Sequence, residues 1–556
     1  MKECRRFRTQ PSQLTRIALA VAVLGGAGSA CAMEIDLGNP DYRLRFDNTI
    51  RYNLGVRMED QDNRIMNTPT TDESDGKFDK GDIVTNRVDL LTEVDFAYKY
   101  LWGARVSAAA WYDDAYKDGG VDSNIPGYST SYDNDHYSSE VDRYVHGPSG
   151  EILDAFIWTN FNIGPVPVNL KVGRHTNYWG EGLLFGAHAV SYSQAPSDGV
   201  KAVTSPGIET KEVFLPVGQV SIKAQLTDTL SVAVQQFFEW DNTRMPYGGT
   251  YFGPADPFFE GPDRFPLAPG FNLEKRSTKR GRDTANWGVM GKLNLEQIES
   301  TVGAYYREFD DYQPWLAPEL VAAPDGYYRL VHPRDVKLAG LSFSRVFNSV
   351  AVGMDLSYRK NGALNATGVS PVDEEGPRGN TIHFVANAVY GVPRNFIANN
   401  ATLVGEFAYS HLDKVTKHEE LYKGDGYSGC ADARSTPANP LSGGKEDGCS
   451  TDDYYAVAVN YTPQYLSIFP SWDLEVPLTV NYGISGNAAS AGGGSEGALA
   501  WSVGAKMTYI QRHEFSLRYA DTSAQEKNLL NGGVGGNGAV GTTDRGWLAF
   551  TYKTSF

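Results

Sequence analysis

The residues with the most chemical potential in this 556-residue chain stand in two short runs. The first is Gly173-Arg174-His175-Thr176-Asn177-Tyr178-Trp179-Gly180-Glu181-Gly182, and the second is Lys211-Glu212-Val213-Phe214-Leu215-Pro216. The stretch that holds them is more aromatic and less charged than the other long polar connections. Arg174, Tyr178, Trp179 and Glu181 combine one pair of opposite charges with two aromatic faces, which is the chemistry of a constriction or a ligand site. The same residues equally make a folding motif, with Trp179 packed inside, Gly180 and Gly182 forming a turn and Arg174 paired with Glu181.

A second set is electrostatic. Arg43, Arg45, Arg51 and Arg57 recur on one face of the first mature strand, and Asp89, Glu93 and Asp95 on one face of the next. Pointing into a lumen, they would form either a screened pore lining or a cross-strand network that fills the interior. Enzymatic signals are weak. Gly493-Gly494-Ser495-Glu496-Gly497 has the spacing of a nucleophile elbow but lacks the strand–turn–helix setting that motif needs. Nine histidines are scattered without a His-x-x-x-His pair. The acidic clusters Asp72 to Asp82 and Asp133 to Asp142 lack a complete calcium loop and read as solvated. No catalytic residue, metal site or cofactor is expected, and the chain is read as a non-enzyme.

The elements that position these residues are strands. Tyr42, Leu44, Phe46, Ile50, Tyr52, Leu54, Val56 and Met58 occupy even positions, and polar residues the odd ones. Period two over this length excludes a helix and exceeds the ~5–6 residues of an ordinary soluble strand. The pattern recurs at Val88–Tyr98, Val352–Tyr358, Trp501–Tyr509 and Phe515–Tyr519. Tight connections around Tyr100, Gly164, Asp228, Gln297, Asn348, Asn395, Phe469 and Arg512 alternate with long polar ones at 59–85, 113–150, 175–216, 242–283, 312–336, 362–379, 416–452, 487–497 and 525–544. Long loops and short turns in alternation predict a transmembrane antiparallel up-and-down β-barrel of about eighteen strands (sixteen to eighteen). A propeller or solenoid would show a repeat of fixed period, and none is present. No apolar run beyond the N-terminus approaches the ~20 residues of a membrane helix.

The ends of the chain carry an address. Lys2, Arg5, Arg6, Arg8 and Arg16 precede the apolar stretch Ile17 to Leu24 and Ala30-Cys31-Ala32, which reads as a secretory signal peptide over residues 1–32. The formal net charge is −17, and loss of a leader with five basic residues and one acidic residue would take it to −21. That sign disfavours nucleic acid and suits a surface facing divalent cations and lipopolysaccharide. Cys430 and Cys449 then remain, both in the 416–452 connection, and are expected to form a disulfide in an oxidising compartment. The last residues alternate again, with Leu548, Phe550, Tyr552 and Phe556 on one face. This resembles the terminal signal by which bacterial outer-membrane barrels are recognised by the barrel-assembly machinery, with Thr554 where an aromatic is usual. Phe556's strand is expected to close the barrel against Tyr42–Met58.

The Gly-Arg…Trp-Gly-Glu run followed by Lys-Glu-x-Phe-x-Pro resembles the proteobacterial outer-membrane family called domain of unknown function 1302. This chain departs from its pattern at Gly182-Leu183-Leu184 and Ala195-Pro196-Ser197-Asp198. The resemblance covers residues 33–556 and implies an outer-membrane protein of Gram-negative bacteria that handles hydrophobic, steroid-like or aromatic compounds. It also implies a periplasmic lipoprotein-like partner and an inner-membrane permease. The leading expectation is a porin-like channel, with 175–216 folded inward. The alternatives are a non-conducting scaffold that docks those partners and, third, an outer-membrane hydrolase. Pore or constriction candidates are Arg174, Tyr178, Trp179, Glu181, Arg43, Arg45, Arg51, Asp89 and Glu93.

Overall fold

The computed structural model describes residues 33–556 apart from 323–325, 433 and 437–438, so the expected leader lies outside the described residues. Eighteen antiparallel strands form one closed sheet. They run β1 (Tyr42–Arg57), β2 (Ile83–Tyr98), β3 (Trp102–Asp113), β4 (Ser149–Ile163), β5 (Val166–His175) and β6 (Val217–Gln225). Next come β7 (Leu230–Phe237), β8 (Trp287–Leu295), β9 (Ser300–Phe309), β10 (Val336–Phe347), β11 (Val350–Ala363) and β12 (Arg378–Val392). The last six are β13 (Asn400–Lys417), β14 (Asp453–Phe469), β15 (Trp472–Glu475 and Leu478–Ser485), β16 (Leu499–Tyr509), β17 (His513–Ser523) and β18 (Trp547–Ser555). β15 is broken at Val476-Pro477, because proline has no N–H to give the ladder.

Each strand pairs with its sequence neighbour, and β18 pairs with β1 from Thr49↔Ser555 to Arg57↔Trp547. Phe556 completes the seam, its N–H donating to the Asn48 carbonyl at 2.9 Å and its carbonyl accepting from the Asn48 N–H at 2.7 Å. Closure leaves no edge of the barrel unpaired, the condition for strands in hydrocarbon. Alternation then sorts the side chains. Ile157, Leu341, Leu356 and Leu517 are exposed on the outer face, whereas Arg51, Asn53 and Arg57 of β1 are buried inside.

At the long-loop end the connections pack on one another. Phe78, Tyr116, Tyr132, Tyr137, Val200, Tyr247 and Tyr251, from four different connections, form one buried aromatic cluster. The acidic run beginning at Asp72 is drawn into this layer instead of being solvated: Asp72, Glu73 and Asp75 are buried. Their countercharge and donors come from below and beside them. Arg57 pairs with Asp75 at 2.8 Å, and Ser131 N–H donates to Glu73 at 2.7 Å. Asp133 and Asp135 are exposed. A disulfide joins Cys430 and Cys449 in the connection between β13 and β14.

Candidate functional site

The connection from Thr176 to Pro216, between β5 and β6, lies inside the barrel and is gripped by inward-pointing side chains of opposite walls. Its first half docks on β8–β13. The Asp355 carboxylate on β11 accepts from the N–H groups of Glu181 (2.8 Å), Gly182 (3.2 Å) and Val190 (3.1 Å). Glu406 on β13 accepts from Leu183 (3.0 Å), Leu184 and Phe185 (3.0 Å). Arg307 on β9 donates to the carbonyls of Val190 (3.1 Å), Tyr192 (2.7 Å) and Ser193 (2.6 Å). Arg359 on β11 donates to the Ala187 carbonyl at 2.6 Å. Irregular backbone with no ladder of its own is satisfied here by wall charges, which is how it tolerates burial.

The glycines of the motif make this docking sterically possible. Gly180 has φ +90°, and a Cβ there would fall 2.5 Å from Asp355 Oδ2. Any side chain would displace the carboxylate that organises the turn. Trp179 is buried against Tyr305, its ring 6.2 Å away, and among Val190, Phe309 and Leu338. It wedges the loop against the wall and does not line open space. Glu181 reaches Lys292 on β8 at 3.0 Å. Tyr178 is half-exposed and donates to the Gly182 carbonyl at 2.9 Å.

The second half docks on β1 and β2. Arg51 holds Glu212 through two bonds of 3.1 Å and donates from Nε to Ser205 Oγ at 3.1 Å. Ser205 in turn donates to Asp89 at 2.6 Å, and Lys211 pairs with Glu93 at 2.5 Å. Leu215 is buried beside Leu91, Trp111 and Leu153. Burial alone would raise the Glu209 carboxyl, yet Lys553 and Lys211 hold it down at about 2.

Three of the expectations need correction. Arg174 shares the outward face of β5 and pairs with Glu239 at 3.3 Å, not with Glu181; strand alternation carries it away from the lumen. Arg43 and Arg45 sit at the short-turn rim, Arg43 over the Tyr100 ring at 4.8 Å and Arg45 on Asp47 at 2.6 Å. They come too early in β1 to reach the loop. The register does set Arg51 opposite Asp89, but their carboxylate and guanidinium stand 3.9 Å apart and each is bonded more closely to the loop. The Arg51, Asp89 and Glu93 row is thus a clamp on the loop more than a bare lining. Asp355, Glu406, Arg307 and Arg359 escaped sequence reading as loop anchors. Their only signal was charge at an inward position of a strand.

His188 belongs to the same seat. Its Nδ1 lies 2.9 Å from His383 Nδ1 on β12 and its Nε2 donates to the Gly493 carbonyl at 2.7 Å. Burial, together with Arg359, pushes its imidazole down to about 4.

What the loop leaves open lies on the side away from these clamps. A cavity of about 540 Å³ separates Leu184, Ala202 and Val203 of the loop from β14–β18. Tyr251 and Phe252 overhang it, and Trp547 packs on Phe252 at 4.9 Å. The inward row of this wall is made of small side chains: Ala458, Asn481, Ala500, Ser502, Ala520 and Ala549, aligned by the pairings Ala458↔Asn481, Asn481↔Ala500 and Ser502↔Ala520. A second space of about 340 Å³ adjoins it beside Phe185, His188 and Gly493. The volumes fall in the ~300–1,000 Å³ range of small-molecule sites.

A closed antiparallel barrel, apolar outside and polar inside, with a loop folded through its lumen, defines a membrane-spanning β-barrel protein. The chain belongs to the family described as "Protein of unknown function (DUF1302)", whose model matches residues 13–556. No curated protein matches it. Among solved structures it is similar to OccAB1 of Acinetobacter baumannii (8% identity, 92% of this chain and 96% of that chain, TM-score 0.41). It is also similar to OpdK of Pseudomonas aeruginosa with vanillate (7%, 92% and 98%, 0.40) and to the outer-membrane channel DcaP of Acinetobacter baumannii (10%, 95% and 100%, 0.36).

Proposed function

We propose that the protein is an outer-membrane channel for small hydrophobic or aromatic compounds, set with its short turns toward the periplasm. The observation that carries this reading is the cavity between the loop and the small-residue wall of β14–β18. The loop is fastened to β1, β2 and β8–β13, with Lys553 near the end of β18 holding Glu209, and the broad stretch of wall it leaves free is low, smooth and largely apolar. A solute moving there meets alanine methyls and aromatic edges, with few fixed charges to desolvate against.

Uptake of a small aromatic solute into proteoliposomes tests the reading. Ala458→Trp and Ala500→Trp, which fill the cavity, are expected to slow uptake several-fold, whereas Leu517→Trp on the outward face leaves it unchanged. Wild-type proteoliposomes no more permeable than protein-free ones would overturn it. The packed aromatic layer at the long-loop end favours a second reading, a sealed scaffold that docks an inner-membrane permease and a periplasmic partner. Co-purification of such partners with no measurable flux would decide for it.

A further inference from the structure

We propose that Arg518 is the head-group site for an amphipathic carboxylate, so that the cargo of the cavity is an apolar or aromatic acid. This deepens the channel reading and rests on the same cavity.

Arg518 points inward from the middle of β17 and lines the cavity. It is exposed to the lumen, and among the described residues no hydrogen bond or ion pair engages its guanidinium. Several other interior cations face a carboxylate, Arg51 that of Glu212, Lys292 that of Glu181, Lys506 that of Glu475 at 2.6 Å and Lys553 that of Glu209 at 2.8 Å, while Arg307 and Arg359 are engaged by loop carbonyls. Directly across the sheet from Arg518 stand Gly504 and Ala549. Neither offers an acceptor, and neither is tall enough to cover the guanidinium. Asp521 also borders the cavity, but it has the opposite parity to Arg518 across from Trp501, and no ion pair joins the two. The cation therefore faces a space walled by Leu184, Phe252, Ala458, Ala500 and Trp547.

A planar five-donor fork without a partner, beside an apolar cavity, matches one ligand shape. A carboxylate takes the fork through two parallel bonds, while an apolar body lies along the alanine row and under the Phe252–Trp547 pair. A neutral analogue gains the apolar contacts only. A cationic one is repelled.

The test uses naphthalene-2-carboxylate and its neutral amide, with two readouts on the full-length protein. The first is equilibrium binding to the detergent-solubilised barrel; the second is flux into proteoliposomes. Wild type is expected to bind and pass the acid in preference to the amide. In Arg518→Gln the acid-to-amide ratio should fall by about tenfold or more, the loss expected for one charged hydrogen-bonded pair. Arg518→Lys should keep part of the preference. The gel shift between unheated and heated samples reports that each variant is a folded barrel. Acid binding that depends on Arg518 without flux of either probe supports the site and sinks the channel reading. Flux of both probes with no preference for the acid, or a preference that survives Arg518→Gln, overturns the site and leaves the channel reading standing. Neither binding nor flux in wild type overturns both.

Discussion

Glu212 and Arg51 meet inside the barrel with almost no exposure on either side chain. Removing one partner of such a pair strands a charge in a poorly solvated place, at a cost of about 3–5 kcal/mol. Glu212→Gln is therefore expected to free the second half of the loop. Limited proteolysis should then cut between residues 205 and 216, and urea should unfold the variant earlier than wild type. His188 makes a prediction of a different kind. Its imidazole is held neutral near pH 7 by burial beside Arg359, with His383 and Tyr454 also facing it. A detached loop would protonate it at an ordinary pKa near 6.5, but the docked loop only at about 4. The docked state thus keeps its full stability above pH 6.5 and loses it progressively as pH falls toward 4. Proteolysis of the loop should accelerate over that interval in wild type and less so in His188→Asn. The comparison between the two isolates the histidine. Asp72 and Asp544, pushed up to about 6 chiefly by burial, favour the folded loops over the same acid range.

At the level of elements, the strands were legible because a barrel imposes one rule everywhere: apolar out, polar in. The alternation through Tyr42–Met58 and the tight turns at Tyr100, Gly164 and Arg512 fall where the sheet bends back on itself. The seat of the inner loop was not legible. Glu181 meets an acceptor 174 positions away, and Leu183 one 223 positions away. No local pattern announces which inward aspartate or glutamate will receive which amide. Trp179 and Glu181 stand together in one motif, but a constriction and a folding motif look alike until the wall behind them is known. The disulfide acts on a single element. Closing the loop between Cys430 and Cys449 is worth roughly 3 kcal/mol to that loop by chain-entropy arguments. Cys430→Ser with Cys449→Ser should speed proteolysis between β13 and β14 while the barrel still migrates as a folded species in unheated gels.

For the molecule as a whole, the seam between the first and last strands decides whether a barrel exists. Phe556 adds two backbone hydrogen bonds to Asn48 beyond the end of β18, and Thr554, at the position where the terminal signal usually carries an aromatic, is buried there. Deleting Phe556 is expected to lower the yield of heat-modifiable barrel in cell envelopes, without changing the heat stability of the molecules that do close. Equal yields of the truncated and intact chains would contradict this. The lumen itself is lopsided. One arc of wall is committed to holding the loop, and enlarging or discharging a residue there touches the fold. The opposite arc, β14–β18, holds the loop at fewer points, through Lys553 on Glu209 and the packing of Phe185 on Tyr454, Ala456 and Ala458. Ala500 and Ala520, which face the open cavity, can grow or gain a hydroxyl without displacing the loop. A lineage could therefore exchange one cargo for another by single substitutions along that arc, with the supporting arc inherited intact.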